Sequence, residues 1–447
     1  MDENIVELVV NSLSDKGEGI AFYNDNLVFI QNTLVGERVK VRLGDCFAIG
    51  SKRRPGYLIE ILEKSPDRAL DSQATLLGGT CVYGNLKYKT TLKIKQELIF
   101  KALKEIGCTV SVPEVEASNI KYPCRNKSIR FFGKKDNVLI QGYYKPRTHY
   151  VEECTQCILE PKWFSIFAQD LCCVLGDFSL EPYDEIRKVG CLRSLMMRDC
   201  GKEERLCVLV VAEPLSFEVE SAFSQLAEDY NVKACFICFN NQEGNAIIRG
   251  EIKSLGENDF IKTNYSGYDF SVGPLTFLQV NYEIARNIYD KAIAFCKTSP
   301  IKGDALDLCS GIGTMTLGLS KYFAHVTGIE IVEQSVEAAR KNAKQNHVDN
   351  VSFVAGDLKE KLSLYVNKNI SALIADPSRV GLGDEVCEEF LKLKKGAHLS
   401  LIFCELKALK RDCRKLLSLG FKIKEVRGFD MFPFTNHVET LVLMERV

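Results

Sequence analysis

The feature that most limits the possible fold is the segment ALDLCSGIGTMTLGLS, residues 305–320, in which an apolar strand runs into a glycine turn that opens a helix. From residue 266 onward, apolar strands alternate with helical patterns in βαβ order. This alternation predicts a Rossmann-like α/β domain with a parallel, doubly wound sheet over residues 266–447. Gly311 and Gly313 let the backbone come close to a ligand, and Asp307 sits near the carboxyl end of the strand, where crevice ligands bind.

Two more carboxylates stand at the ends of the next two strands. Glu330 comes 23 residues after Asp307, where a carboxylate can accept both hydroxyls of a ribose. Asp357 ends the third strand, where it can face an adenine amino group. One acidic strand end is usually a helix cap. Three in succession predict a nucleoside cofactor.

The glycine spacing distinguishes two kinds of cofactor. A dinucleotide fingerprint needs G-x-G-x-x-G, whereas Met315 and Thr316 follow Gly313 here and the third glycine is missing. Hydride chemistry is therefore disfavoured. The turn resembles motif I of class I methyltransferases, and this resemblance implies S-adenosylmethionine as the cofactor.

The first 60 residues carry short alternating strands, VELVV, NLVFI and RVKVRL, separated by turn-like segments. They predict an OB-like β-barrel of five strands over residues 1–60, a unit that often carries nucleic acid on one face. Lys52 and Arg53 at its far end are candidate RNA contacts, and a solvated charged loop is the equally good alternative.

Residues 90–106 are predicted as an amphipathic helix that packs on the catalytic domain. Its apolar positions include Leu92, Leu98, Phe100 and Leu103.

A central α+β domain is predicted over residues 75–265, with LCVLVVAEP and ACFICFNN as buried strands. Its segment KYPCRNKSIRFFGKK, residues 121–135, holds six Lys or Arg and no acid, interleaved with aromatic residues. Cations beside aromatic rings suit an RNA strand, and Arg125, Asn126 and Lys127 are the candidate contacts. A half-exposed antiparallel strand pair produces the same pattern, so the segment alone leaves both interpretations open.

A thiol, Cys404, and two carboxylates, Asp376 and Glu439, stand near strand ends of the predicted sheet. Carbon 5 of uracil is a poor nucleophile. A thiolate that adds to carbon 6 builds an enolate whose carbon 5 can attack a sulfonium methyl, and a base then removes the carbon 5 proton so that the thiol can leave. The three residues therefore suggest methylation of uracil at carbon 5.

Over nearly its whole length the chain resembles the bacterial 23S rRNA (uracil-5-)-methyltransferase family. The matching motifs are a TRAM-like stretch from LVVNSLSDKGEGIAF to RVKVRL, then YPCRNKSIRFFG, FLQVN, DLCSGIG, GIEIVEQSVEAARKNA, DPSRVG and HVET. The resemblance implies that Cys404 is the nucleophile and that Glu439 is the general base. It also implies that Asp376 is a catalytic group that orients the reacting uracil. It also implies a cofactor site lined by Gln279, Gly311, Glu330 and Asp357, completed by Asp307, Gly313 and Asp376.

The chain departs from the family pattern beside the nucleophile. Relatives usually have Asn-Pro after the cysteine, and this chain has Glu405 and Leu406; DPPR has become DPSR, with Ser378 in third place. A carboxylate next to the thiol is expected to raise its pKa and to oppose thiolate formation.

A second departure concerns metal. Many relatives hold an iron-sulfur cluster with a C-x5-C-x2-C run and a later cysteine, but Ser72 and Gly78 stand at two of the four positions here. Cys81 and Cys154 are too few for such a cluster unless Cys46 or Cys157 reaches in from elsewhere. No iron-sulfur cluster and no metal site are therefore expected.

The expected substrate is a uridine in a loop or single strand of ribosomal RNA, flipped out into the pocket. The resemblance favours ribosomal over transfer RNA because tRNA-specific relatives generally lack the barrel. Methylation of a protein or small molecule, and an RNA-binding relative with weakened catalysis, are the other hypotheses.

The protein has a net charge of only -1, so RNA must bind to a local basic surface. A cytoplasmic monomer with reduced cysteines is expected, since no targeting segment or membrane span is recognisable.

Overall fold

The computed structural model describes residues 4–14, 16–48, 50–69, 81–119, 123–145, 148–244, 247–366 and 369–447. The chain divides into two compact units. The first comprises residues 1–97 and 432–438, and the second comprises residues 98–431 and 439–447. This division does not follow the predicted boundaries after residues 60 and 265, which stay a prediction. No helix among the described residues is long and apolar enough to cross a membrane.

The first unit contains a six-stranded sheet with the order β1-β5-β6-β4-β3-β2. Its strands are β1 (Ile5–Val9), β2 (Ser12–Leu13), β3 (Gly19–Tyr23), β4 (Asn26–Ile30), β5 (Arg38–Leu43) and β6 (Arg53–Glu63). Alternate residues of these strands, among them Val28, Val39 and Val41, point into one apolar core, as the period of a strand requires. The described sheet therefore has six strands where the sequence predicted five.

The predicted helix over residues 90–106 is confirmed as α1 (Tyr88–Glu105). Its buried side chains include Ile99, Ala102 and Leu103. Phe100, which the helical spacing assigned to the apolar face, is 55% exposed, and Leu92 and Leu98 are half-buried. The prediction is thus confirmed for Leu103, whereas the other three positions lie beside the buried stripe, because several faces of this helix carry apolar residues.

A seven-stranded sheet forms the middle of the second unit, in the order β13-β12-β11-β10-β7-β8-β9. Its elements are β7 (Lys127–Lys135), β8 (Val138–Tyr144), β9 (Val151–Glu153), α2 (Lys162–Asp177), β10 (Leu192–Asp199), β11 (Arg205–Val211), α3 (Phe217–Asp229), β12 (Ala234–Phe239) and β13 (Glu251–Ser254). The two segments predicted as buried strands are confirmed as β11 and β12. A hairpin of β14 (Ile261–Tyr265) and β15 (Tyr268–Val272) follows.

The rest of the second unit is a doubly wound sheet with the order β18-β17-β16-β19-β20-β22-β21. Its elements are α4 (Tyr282–Cys296), β16 (Asp304–Leu308), α5 (Thr314–Ser320), β17 (Val326–Glu330), α6 (Glu333–Gln345), β18 (Val351–Ala355), α7 (Leu358–Tyr365), β19 (Ile370–Ala375), α8 (Asp384–Glu389), β20 (His398–Phe403), α9 (Leu406–Ser418), β21 (Phe421–Phe429) and β22 (Glu439–Arg446). The strand order reverses between β16 and β19, which are parallel neighbours. A crevice therefore opens at their carboxyl ends, as the sequence predicted.

Candidate active site

The glycine turn after β16 forms one wall of the crevice. Gly311 has a φ of 52° and faces open space, since a Cβ built on it meets nothing within 4 Å. Gly313 has a φ of 88°, but a Cβ there would lie 2.9 Å from the ring of Phe353. Both glycines are needed for the left-handed backbone. Only Gly311 faces space that a ligand can fill, whereas Gly313 permits close packing.

Glu330 is the last residue of β17 and lies directly beside this turn. Its Oε2 accepts a hydrogen bond from the Gly311 N–H at 3.0 Å, and its Oε1 accepts one from the Val332 N–H at 2.9 Å. Asp357 is exposed and caps α7 by accepting the Lys359 N–H at 2.9 Å. The cap interpretation of a strand-end acid therefore holds for Asp357, which lies beyond the carboxyl end of β18 in the same sheet.

Asp307 is fully buried beneath the turn. Its Oδ2 accepts the Thr316 hydroxyl at 2.6 Å, and its buried Oδ1 has no hydrogen-bond partner among the described residues. Burial raises the pKa of Asp307 to about 7, and the nearby Asp376 carboxylate adds to the rise. An unpartnered buried carboxylate oxygen, open space over Gly311 and the Glu330 carboxylate together fit a cationic nucleoside cofactor such as S-adenosylmethionine.

Asp376 lies at the neighbouring strand end, immediately after β19. Its N–H donates to the Leu308 carbonyl of β16 at 3.3 Å, which fixes it beside the glycine turn. The Gln279 side chain donates from Nε2 to Oδ2 of Asp376 at 3.2 Å. Burial raises the pKa of Asp376 to about 6 despite this hydrogen bond. Gln279 and Asp376 thus form one hydrogen-bonded pair on the floor of the crevice.

Cys404 and Glu439 are brought together by strand pairing. Strands β20 and β22 are antiparallel, with Phe403 opposite Thr440. Cys404 is the next residue after β20 and Glu439 is the first residue of β22, so continuing the register sets them side by side. Cys404 is half-buried, whereas Glu439 is 3% exposed and its Oε2 has no hydrogen-bond partner among the described residues.

The charges around this pair favour its protonated forms. Burial raises the pKa of the Cys404 thiol to about 11, and Glu439, Asp376 and, least of all, Glu405 add to the rise. Burial raises the pKa of Glu439 to about 8, with further contributions from Asp376 and Glu405, while Arg379 opposes them. The sequence analysis did not identify Arg379, although it stands in the DPSRVG motif. A cation within this motif is the signal from which its effect on the pKa of Glu439 could have been predicted.

Replacing Glu405 by glutamine is expected to lower the pKa of the Cys404 thiol slightly, because the smallest of the negative charges that disfavour the thiolate is removed. The rate of thiol alkylation by iodoacetamide, followed from pH 7 to pH 11, should then rise at lower pH than in the unchanged protein. Glu389→Gln, on α8, is the matched control and should leave the profile in place. Identical profiles for the Glu405 variant and the unchanged protein would mean that this carboxylate does not act on the thiol.

The basic segment at residues 121–135 lies mostly in an antiparallel strand pair, which was the alternative to an RNA-binding segment. β7 pairs with β8 in antiparallel register. Arg130 is fully buried and donates to Glu160 at 2.6 Å. Lys134 pairs with Glu181 at 2.6 Å. Of the predicted segment, residues 121 and 122 lie outside the described residues.

Arg130→Met is expected to lower the free energy of unfolding by about 3–5 kcal/mol, since it leaves Glu160 buried without its counter-ion. Urea unfolding at pH 7 measures this change. Lys134→Met is the matched control on the same strand, and because its ion pair is exposed, the loss should stay below about 1 kcal/mol. Equal losses in the two variants would contradict the structural role of Arg130.

The remaining candidate RNA contacts lie in two places. Arg125 and Asn126 precede β7, and Lys127 is its first residue. Asn126 joins this segment to the crevice, because its side chain donates to the Gln279 carbonyl at 3.0 Å. Lys52 and Arg53 are exposed in the first unit, where β6 begins.

The cysteines considered for a cluster are placed only in part. Ser72 and Gly78 lie outside the described residues. Cys81 belongs to the first unit, and Cys154 is buried in the second, with its Sγ 3.7 Å from the Gln156 carbonyl. No group of three or more potential metal ligands occurs among the described residues. The expected absence of an iron-sulfur cluster stays a prediction.

The chain is similar to known RNA methyltransferases. Residues 258–447 match the family model described as tRNA (Uracil-5-)-methyltransferase. An RNA methyltransferase of Fusobacterium nucleatum, described as uncharacterized, is 29% identical and aligns over 99% of this chain and 96% of its own. One from Clostridium tetani is also 29% identical, over 98% of this chain and 95% of its own.

A solved structure has the same fold over almost its full length. The tRNA (uracil-54, C5)-methyltransferase of Pyrococcus abyssi, in complex with S-adenosyl-L-homocysteine, is 21% identical, with a TM-score of 0.79. The alignment covers 98% of this chain and 99% of that one. The predicted fold class, a Rossmann-like methyltransferase domain with an N-terminal β unit and a central α+β region, is thereby confirmed.

Proposed function

We propose that this protein, an S-adenosylmethionine-dependent RNA (uracil-5-)-methyltransferase, methylates carbon 5 of a uridine in 23S ribosomal RNA through a covalent adduct with Cys404. The observation that carries the proposal is the adjacency of a half-buried thiol and a buried carboxylate, Cys404 and Glu439, on paired strands beside the cofactor crevice. A nucleophile and a base are the two groups that this reaction needs.

The roles follow from the chemistry of the ring. The Cys404 thiolate adds to carbon 6 of the uracil and leaves an enolate that is nucleophilic at carbon 5. S-adenosylmethionine, when bound, supplies a methyl group on a sulfonium centre. Glu439 then takes the proton from the methylated carbon 5, and the electron pair of that bond reforms the double bond as the sulfur departs. Asp376, held by Gln279 at 3.2 Å, orients the ring.

The cofactor site proposed here is lined by Gln279, Gly311, Glu330, Asp357 and Asp376, while the buried Asp307 and the tightly packed Gly313 support the turn from within. Its excess of carboxylates suits a cationic occupant. A positive charge in the crevice favours the ionised forms of Asp376, Glu439 and Cys404, and so offsets the burial that raises their pKa values. The catalytic groups are therefore expected to ionise together with cofactor binding.

The first unit offers features that suit single-stranded RNA. Phe47 and Tyr57 expose more than half of their surface, and the Arg42 guanidinium lies 5.7 Å from the centre of the Tyr57 ring. Lys52 and Arg53 are exposed close to them in sequence. Exposed rings with cations are the usual platform for stacked bases and their phosphates. With Arg125, Asn126 and Lys127, they are the proposed RNA contacts.

Transfer RNA is the second candidate substrate. The resemblance favours ribosomal RNA because of the N-terminal barrel, yet the Pyrococcus abyssi tRNA enzyme aligns with 98% of this chain, so it also has a counterpart of that unit. The barrel therefore favours ribosomal RNA less strongly than the sequence suggested.

The deciding experiment maps 5-methyluridine in ribosomal and transfer RNA from cells with and without the gene. Loss of the modification at a position in 23S ribosomal RNA supports the proposal. Loss from transfer RNA alone moves the substrate to tRNA and keeps the mechanism, and no loss in either RNA removes the proposal. Arg125→Ala is a further check, because unchanged activity in that variant favours a protein or small-molecule substrate.

A further inference from the structure

Two arginines are completely buried in the same sheet of the second unit, in opposite electrostatic environments. Arg130 donates to Gln141, Glu160, Ser165 and the Cys154 carbonyl, all within 3.0 Å. Burial, the largest single effect, lowers its pKa, but Glu160, Cys154 and Tyr143 together outweigh burial and the net shift is upward. Arg198 on β10 is equally buried, yet its Nε and Nη1 have no hydrogen-bond partner among the described residues.

Arg198 also lacks a counter-ion among the described residues. Burial lowers its pKa, and only the Cys200 and Tyr265 side chains oppose that shift. Its neighbour in the sheet register is Lys127, another cation. The pKa of Lys127 is lowered to about 8, by burial first and then by Arg198 and Arg125. A buried cation that has neither a carboxylate nor a full set of hydrogen bonds is costly.

Two of the three cations, Lys127 and Arg198, lie on one face of the sheet, because directly paired residues on neighbouring strands share a face. Arg125 precedes the strand, and its Nε donates to the Lys127 carbonyl at 3.0 Å. A pocket of about 280 Å³ is lined by Arg125, Asn126, Asp199 and Cys200, among others. The chain neighbours of Lys127 and Arg198 therefore form part of its wall.

This pocket adjoins the catalytic crevice. Asn126 also lines the pocket. Its Oδ1 has no hydrogen-bond partner among the described residues, while its side-chain nitrogen donates to the Gln279 carbonyl, and Gln279 contacts Asp376. Among the described lining residues Asp199 is the one acid, and it balances the formal charge of Arg125. Its carboxylate accepts the Trp163 ring N–H at 2.6 Å and the Gly201 N–H at 2.7 Å, and it lies 3.8 Å from the Arg205 Nε. The unbalanced positive charge therefore comes from Lys127 and Arg198, which are the chain neighbours of Asn126 and Asp199.

We infer that Arg125, Lys127 and the buried Arg198 form a binding site for a backbone phosphate of the RNA, next to the target uridine. This assignment rests on the function proposed above. Half-buried Arg125 and Lys127 contact the phosphate, and Arg198, opposite Lys127 in the sheet register, supplies an uncompensated positive charge. A phosphodiester brings one negative charge and several acceptor oxygens to a cluster in which Nε and Nη1 of Arg198 have no acceptor among the described residues. A phosphate held here also fixes the RNA strand beside the crevice while the uridine is flipped out.

The test measures binding of a fluorescein-labelled oligouridylate, without cofactor, over a range of KCl concentrations. Arg198→Met is expected to weaken binding about tenfold and to reduce the steepness of the salt dependence by about 0.7 in log K per log salt, the value for one phosphate on a single strand. The Tm of the same variant, measured without RNA, should stay equal or rise, because the unbalanced buried charge is gone. Arg198→Lys keeps the charge and should retain most of the affinity.

Three controls separate the possible outcomes. Arg187→Gln, an exposed residue outside this face, should change neither the affinity nor the salt dependence. Arg130→Met should lower the Tm, as a purely structural buried arginine does. A lower Tm for Arg198→Met together with unchanged RNA affinity would make Arg198 structural and overturn the inference. Lys127→Gln gives a second reading of affinity and salt dependence if Arg198→Met does not fold.

Inorganic phosphate distinguishes the source of the anion. A rise in Tm with phosphate that is lost in Arg198→Met, without any change in RNA affinity, would assign the site to free phosphate and overturn the RNA assignment. If the unchanged protein binds no oligouridylate at all, the proposed function fails together with the inference. Normal RNA binding by both Arg198→Met and the unchanged protein overturns the inference alone.

Discussion

Cys404→Ala is expected to abolish methyl transfer, with a loss of roughly 10⁴- to 10⁶-fold, the range seen when a covalent nucleophile is removed. The reason is chemical, since without addition at carbon 6 the carbon 5 atom of uracil is not nucleophilic enough to take a methyl group. The measurement is transfer of tritiated methyl from S-adenosylmethionine to RNA isolated from cells that lack the gene. The variant should keep its Tm within a few degrees, because the side chain is only half-buried.

Trapping makes the test specific for the thiol. RNA that contains 5-fluorouridine should form an adduct with the unchanged protein that survives denaturing electrophoresis, because fluorine cannot leave as a proton does. Cys404→Ala should form none. Cys173→Ala, an exposed cysteine of the same unit, is the matched control and should trap normally. Trapping by the Cys404 variant would transfer the nucleophile to another residue.

Glu439→Gln is expected to slow turnover by about 10²- to 10⁴-fold, the usual contribution of a general base. The predicted signature is an accumulating intermediate. Addition and methylation do not need the base, whereas release of the thiol does, so a covalent complex with ordinary uridine RNA should build up. Denaturing electrophoresis with labelled RNA detects it, and the slow decay of the complex gives the rate of the missing step.

The pH dependence of the unchanged protein adds a check on this role. Burial, Asp376 and Glu405 raise the pKa of Glu439 to about 8, so without cofactor the residue holds its proton at neutral pH. A bound cationic cofactor favours the ionised form, so turnover limited by the base should increase with pH over a range that lies below 8. Glu445→Gln, at the other end of β22, is the matched control and should turn over normally. A Glu439 variant that turns over rapidly without accumulating the adduct would assign the proton to a different base.

The crevice could be predicted from the sequence because its elements are local. The strand, glycine turn and helix at residues 305–320 occupy one short segment, and the backbone at Gly311 needs a positive φ whatever surrounds it. The carboxyl ends of parallel strands meet at one edge, so Asp307, Glu330 and Asp376 had to lie close together. The division of roles between Gly311 and Gly313 was not predictable, because it depends on Phe353 from another strand.

The basic segment at residues 121–135 could not be interpreted from sequence alone, for a physical reason. A buried arginine and an RNA-binding arginine have the same side chain, and only their partners differ. Arg130 pairs with Glu160, which lies 30 residues away, whereas Nε and Nη1 of Arg198 have no partner in the part of the chain that the structure describes. Arg198 itself sits in the apolar pattern LRSLMMRD and gave no sign of function in the sequence.

The sequence by itself determined the chemistry available to this protein: a glycine turn for a nucleoside cofactor, a thiol and two carboxylates at strand ends, and the order of the elements that carry them. The tertiary structure alone decided which groups meet. The antiparallel insertion of β22 between β20 and β21 sets Glu439 beside Cys404, although 35 residues separate them. Burial in that setting, rather than residue type, raises the pKa values of both groups, because the energy of a charge depends on its surroundings.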